Sequence, residues 1–245
     1  MTVSHNRSGV LHPSGITGDR PWLTRFAPLL WFLASLVVAE GIALGPEVIQ
    51  NVRDKYGEQA VNRVLSWQKL MQSGKGQKEK EKLAAVNDFF NRLRFRSDIK
   101  LWGKNDYWAT PIEAMGKGAG DCEDYSIAKY FTLRELGVPD SKLRIMYVKA
   151  LKLNQAHMVL TYYSTPGAMP LVLDNLNPRI LPANKRTDLA PVYSFNGDGL
   201  WLSKSRSKGL RVGTSKRINL WQDLKARMKM ENNYSDPNRN KGDKP

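Results

Sequence analysis

The chain has 245 residues, 38 Lys and Arg against 23 Asp and Glu, and a formal net charge of +15. Its single cysteine excludes an internal disulfide framework. No paired CxxC motif, P-loop, RNP-like aromatic pattern or internal repeat occurs, so the basic balance points to an acidic partner more than to nucleic acid.

Arg20 and Arg25 precede an apolar run from Phe26 to Ala39, and Val37 and Ala39 suit the small-residue positions of a signal-peptidase site. The run is shorter than the ~20 residues that span a bilayer. Residues 1–39 are therefore expected to be an export leader. They hold three basic residues and one acidic residue, so the remainder carries +13. Residues 40–230 are expected to form one domain, and the polar, proline-containing stretch 231–245 a disordered basic tail.

Residues 46–96 read as helical. Val61, Val64, Leu65, Trp67, Leu70 and Met71 recur at helical spacing, as do Leu83, Val86, Phe89, Phe90 and Leu93. Ser73-Gly74-Lys75-Gly76 breaks the pattern, which predicts two helices in an antiparallel pair. A third helix is predicted over Cys122–Leu136, with Asp121 as its N-cap. Branched and aromatic residues then predict strands over 143–151 and 157–163, and another from Leu171 to Asp174. Two further short strands are predicted over Pro191–Phe195 and Leu200–Leu202, followed by an amphipathic helix from Ile218 to Met230. Helices first and an antiparallel sheet after make an α+β domain.

The chemistry concentrates on few residues. Cys122 is the only thiol, and His157 is the only imidazole beyond the predicted leader. A cysteine paired with a base can attack a carbonyl, and a third group fixes the imidazole tautomer. His157 starts one predicted strand and Asp174 ends the next, so an antiparallel hairpin lets the two side chains meet. Cys122 in the first turn of a helix gains from the macrodipole, which favours a thiolate. A free cysteine is also a common buried filler, but Cys122 lies in Gly118-Ala119-Gly120-Asp121-Cys122-Glu123-Asp124. A filler needs no three flanking carboxylates. Cys122, His157 and Asp174 are the candidate triad.

Asp121, Glu123 and Asp124 admit two readings. They complement the positive end of a helix, or they are hard oxygen ligands for Ca²⁺. Three carboxylates around a nucleophilic thiol would raise its pKa, a penalty that a bound cation cancels. For the oxyanion, the backbone N–H of Cys122 is one candidate donor, and Asn105 or the Trp108 indole a second.

The segments Asp106-Tyr107-Trp108-Ala109-Thr110-Pro111, Gly120-Asp121-Cys122-Glu123-Asp124-Tyr125, Leu153 to Leu160, Leu173-Asp174-Asn175 and Tyr193-Ser194-Phe195-Asn196-Gly197 together resemble the bacterial transglutaminase-like cysteine proteinases. The resemblance spans roughly residues 50–203. It implies a papain-like, transglutaminase-superfamily fold with Cys122 as nucleophile, His157 as base and Asp174 as orienting acid. It also implies a Ca²⁺-dependent periplasmic endopeptidase, and so favours the metal reading of Asp121, Glu123 and Asp124. The implied substrate is the N-terminal region of a large outer-membrane-anchored adhesin, whose release disperses a biofilm. The implied inhibitor is the periplasmic domain of an inner-membrane cyclic-di-GMP receptor. An acyl-transferring enzyme or a non-catalytic binding module of the same fold are the alternatives.

Overall fold

The computed structural model describes residues 44–203 and 209–233. The predicted leader and the tail from residue 234 onward lie outside the described residues. Among the described residues, no helix is long and apolar enough to cross a membrane.

Three helices open the domain, not two. Helix α1 (Pro46–Tyr56) starts on a proline, whose missing N–H costs nothing in a first turn. Gly57, at φ +81°, ends α1 and starts α2 (Glu58–Gly74). That left-handed backbone is open to glycine at little cost, and the apolar stripe alone gives no sign of the break. Helix α3 (Glu79–Phe90) follows the predicted Ser73–Gly76 interruption. The stripe residues Val61, Val64, Trp67, Leu83, Val86 and Phe90 are buried, whereas Leu65 is exposed. Trp67 places its indole N–H on Thr132 Oγ1 at 2.8 Å, which satisfies a donor that burial would otherwise orphan.

A two-residue strand β1 (Arg94–Phe95) pairs in parallel with β2 (Ala119–Gly120). Between them run the short helices α4 (Asp98–Leu101) and α5 (Pro111–Lys117). Thr110 caps α5 through a reciprocal box: Thr110 Oγ1 accepts from Glu113 N at 3.1 Å, and Glu113 Oε2 from Thr110 N at 2.9 Å. Helix α6 (Cys122–Glu135) comes next and ends one residue short of the predicted limit.

The remaining strands are β3 (Leu143–Ala150), β4 (Gln155–Tyr162), β5 (Leu171–Leu173), β6 (Leu181–Pro182), β7 (Leu189–Phe195), β8 (Gly199–Ser203) and β9 (Gly209–Thr214). They form one antiparallel sheet in the order β6-β5-β4-β3-β7-β8-β9. Helix α6 lies against β4: the Ser126 hydroxyl is shared between Cys122 O at 2.9 Å and Met158 O at 3.1 Å. One apolar core joins Trp67, Phe90, Tyr130, Leu133, Ile145, Leu160 and Phe195 between helices and sheet. Each such side chain contributes about 1.5–3 kcal/mol by leaving water.

Helix α7 (Asn219–Asn233) closes the domain by burying Trp221 and Leu224. It runs past residue 230, so the compositional boundary at 231 falls inside a helix. Glu231 Oε1 accepts a 2.7 Å hydrogen bond from Thr110 Oγ1, and Arg227 donates to Trp108 O at 2.5 Å and pairs with Glu113. The last helix thereby straps down the segment that leads into Cys122.

Candidate active site

Cys122 is the first residue of α6 and is half-buried. The approach to it is sterically fixed. A Cβ on Gly120 would stand 2.6 Å from Asp124 Oδ2. Asp124 cannot yield, because its carboxylate is buried and accepts from Ala109 N at 2.8 Å and Asp121 N at 3.3 Å. Glycine at 120 is the residue that lets the chain turn onto the helix. Asp124 therefore clasps the segment strapped by α7 to the start of α6.

His157 lies on β4 and is 3% exposed. Its Nε2 is 2.8 Å from Asp174 Oδ1, one residue past the end of β5. The pairing of Leu160 with Leu173 brings the two residues together across the β4–β5 hairpin, as the strand reading expected. Asp174 is held from three directions: Leu176 N donates to Oδ1 at 3.0 Å, Arg186 Nη2 to Oδ2 at 2.7 Å, and Asn91 Nδ2 to its backbone carbonyl at 2.9 Å. Burial alone would raise this carboxyl's pKa. The hydrogen bonds and charges of His157, Leu176 and Arg186 outweigh burial and hold it at about 2. A carboxylate charged at neutral pH thus faces Nε2, and Nδ1 is the second ring nitrogen.

The chain brings Cys122 to the same place. Ser126, one turn along α6, donates its hydroxyl to both Cys122 O at 2.9 Å and Met158 O at 3.1 Å, which ties the first turn of α6 to the strand residue next to His157. The thiol itself donates to Glu123 Oε2 at 3.0 Å. Burial, then the charge and hydrogen bond of Glu123, then Asp121, push the thiol pKa up, and the Met158 N–H only partly offsets them. The helix-start effect expected to favour a thiolate is overridden by burial first and then by the carboxylates of Glu123 and Asp121. Tyr193 stacks on Tyr147 with ring centres 5.1 Å apart, and its hydroxyl lies within the field of Asp106 and Glu123.

The acidic residues sort differently from their order in sequence. Asp121 and Asp124 converge with Asp98 in one group, and Glu123 converges with Asp98 and Asp106 in another. Within each group the carboxylate oxygens lie within 4.8 Å of one another. Among the described residues, Asp121, Glu123 and Asp124 form no group by themselves. Asp98, on α4, belongs to both groups and was not singled out from the sequence. Its burial and the neighbouring Asp121 and Asp106 push its pKa to about 6, against a hydrogen bond from Tyr107 N at 2.5 Å. Burial and Glu123 push Asp121 to about 8, and Asp124 is raised well above the usual carboxylate range by burial and then by Asp121. Asp98 Oδ1 and Asp121 Oδ1 are buried without a hydrogen-bond partner. Hard oxygens, converged, destabilised as anions and partly unsatisfied, fit a hard divalent cation.

Of the two proposed oxyanion side chains, Asn105 is exposed. Trp108 is buried and stacks on Phe195 with ring centres 5.5 Å apart, which makes its ring part of the core.

The family model for the bacterial transglutaminase-like cysteine proteinase BTLCP matches residues 58–194. The EGTA-treated structure of Legionella pneumophila LapG is 45% identical, covering 77% of this chain and 100% of that one, with a TM-score of 0.67. The calcium-bound structure of the same protein is 44% identical, covering 76% and 99%, with a TM-score of 0.65. Comparison with curated proteins returns no match. The fold, the matched span and the identity together establish that the chain belongs to the bacterial transglutaminase-like cysteine proteinases.

Proposed function

We propose that the protein is a calcium-dependent periplasmic cysteine endopeptidase that cuts the N-terminal region of a large outer-membrane-anchored adhesin. The cut releases the adhesin and disperses the biofilm. The enzyme is restrained by the periplasmic domain of an inner-membrane cyclic-di-GMP receptor. The observation that carries the catalytic part is the 2.8 Å contact of buried His157 with the Asp174 carboxylate, next to the strand residue Met158 that Ser126 ties to the start of α6, where Cys122 stands.

The mechanism follows from these groups. His157 takes the Cys122 proton through Nδ1, and the sulfur attacks the peptide carbonyl. Asp174 keeps the other nitrogen protonated and stabilises the imidazolium. The backbone N–H of Cys122, free in the first turn of α6, faces the oxyanion. The C–N bond breaks as the imidazolium protonates the leaving amine. Water, deprotonated by His157, then hydrolyses the thioester and restores the thiol.

Asp98, Asp121, Asp124, Asp106 and Glu123 are the residues that would hold calcium. Bound there, calcium supplies positive charge that offsets the carboxylates around the thiol. The calcium-bound form of the LapG relative and the unpartnered oxygens of Asp98 and Asp121 support this part. Substrate, receptor and compartment are carried over from family membership, and the strongly basic surface suits an acidic partner.

The test is genetic and chemical together. Cells lacking the protein, or carrying Cys122→Ala, are expected to retain the adhesin at the surface when cyclic di-GMP is low, while wild-type cells shed it. The products of purified enzyme on the adhesin fragment are expected to sum to the substrate plus water. An adduct with an added amine would make the enzyme an acyltransferase, and shedding without the protein would remove it from this process.

A further inference from the structure

Beside the His157–Asp174 pair lies a second buried polar assembly that the cleavage steps leave unused. Lys129 sits on α6 two helical turns after Cys122 and is 1% exposed. Among the described residues its ammonium has no carboxylate within hydrogen-bond distance. Nζ instead donates to Asn87 Oδ1 at 2.9 Å and to Asn91 Oδ1 at 2.7 Å. Each amide turns its Nδ2 to the loop carrying Asp174: Asn91 to Asp174 O at 2.9 Å, and Asn87 to Pro178 O at 2.8 Å.

A buried ammonium is an expensive way to fill a core. Burial lowers the Lys129 pKa to about 7, with Asp174 and Asp88 opposing the shift. What a lysine offers that an apolar side chain does not is donors without any acceptor. Facing two amides, it forces both oxygens inward and both NH₂ groups outward, onto the carbonyls of the loop. With an apolar residue there, either amide could reverse and set its oxygen against a carbonyl oxygen.

We infer that Lys129 is a positioning residue that orients Asn87 and Asn91 so that they clamp the 174–178 loop and hold Asp174 against His157. The helix that carries the nucleophile thus also sets the far member of the triad. This rests on the proposed roles of His157 and Asp174, so its test includes a readout that needs no cleavage.

Two variants separate positioning from bulk packing. Lys129→Met removes the donors at similar volume. Asn91→Asp keeps an oxygen for Lys129 and puts a carboxylate oxygen in place of the donor to Asp174 O, and it decides the matter if Lys129→Met does not fold. In full-length protein labelled with ¹⁵N-histidine, the Nε2–H of His157 bonded to Asp174 is identified as the low-field proton absent from His157→Gln. We expect this proton to move upfield or exchange away in both variants while circular dichroism stays as in wild type. On the adhesin fragment, kcat is expected to fall about tenfold to hundredfold with KM unchanged. Adding Lys129→Met to Asp174→Asn is expected to cost nothing further. An unchanged His157 proton in folded variants, or losses that multiply in the double variant, would overturn the inference. If wild type cuts nothing while the proton still responds, the endopeptidase reading fails and the positioning role stands.

Discussion

The Cys122 thiol donates its hydrogen bond to Glu123 Oε2 at 3.0 Å, which sets a carboxylate directly on the sulfur. Glu123 also shares a carboxylate group with Asp98 and Asp106, so one side chain connects the acidic cluster to the thiol. Its charge and hydrogen bond raise the thiol pKa, second only to burial. Glu123→Gln removes the charge at constant shape. In calcium chelator at pH 7–8, iodoacetamide is expected to alkylate Cys122 faster in Glu123→Gln than in wild type. Equal rates would mean that burial alone sets thiol reactivity.

The acidic cluster makes a prediction about stability. If the converged carboxylates bind calcium only in the folded state, a hundredfold excess over Kd adds about 2.7 kcal/mol. Asp98→Asn and Asp121→Asn are expected to lose most of the calcium-dependent rise in melting temperature. Asp223→Asn, at an exposed ion pair of α7, is expected to retain it. Melting curves with calcium and with chelator read this directly.

Asp174 contributes to acid stability with a definite sign. Its folded pKa of about 2 lies below the ordinary 3.8, so the unfolded chain binds the proton more readily. The contribution is complete above about pH 4 and is lost as the pH falls through about 2, with a size of about 2 kcal/mol. Urea unfolding of wild type and Asp174→Asn is expected to show a stability difference that is constant at neutral pH and shrinks between pH 4 and 2. Activity of Asp174→Asn is expected to be reduced but measurable, since the role proposed for this residue is to orient His157.

Trp221→Ala tests whether the last helix belongs to the catalytic domain. Trp221 is fully buried, with ring centres 5.6 Å from Tyr130, 5.4 Å from Phe131 and 5.2 Å from Phe195. Its removal is expected to destabilise the fold by about 3–5 kcal/mol in urea titrations. Loosening α7 also frees the Trp108–Glu113 segment, whose Ala109 N–H holds Asp124. A loss below 1 kcal/mol would mean that α7 is peripheral.

The chemistry was more legible in the sequence than its support. A lone thiol, one imidazole beyond the predicted leader and a hairpin between His157 and Asp174 were readable because pairing follows from strand order. The start of α6 was readable because Asp121 precedes a sustained helical pattern. Asp98 and Asp106 were missed because Asp98 starts the four-residue α4 and Asp106 lies in the loop after it, and neither stretch is long enough to show a period. The α1–α2 break was missed because Gly57 interrupts the backbone without interrupting the apolar stripe. Arg186, which holds Asp174 at 2.7 Å, comes from a loop after β6 and carries no local signal. Lys129 did carry one: it shares a helical face with Tyr125 and Leu133, where a charged residue conflicts with its neighbours. Conflicts of that kind mark positions where a core residue has a second duty.

The most direct measurement is a four-way digestion. Wild type and Cys122→Ala are each mixed with the adhesin's N-terminal fragment, in calcium and in chelator. Cleavage is predicted for wild type in calcium alone. Cleavage by Cys122→Ala would contradict the thiol mechanism, and equal cleavage by wild type in chelator would contradict the role given to the Asp98, Asp121 and Glu123 carboxylates.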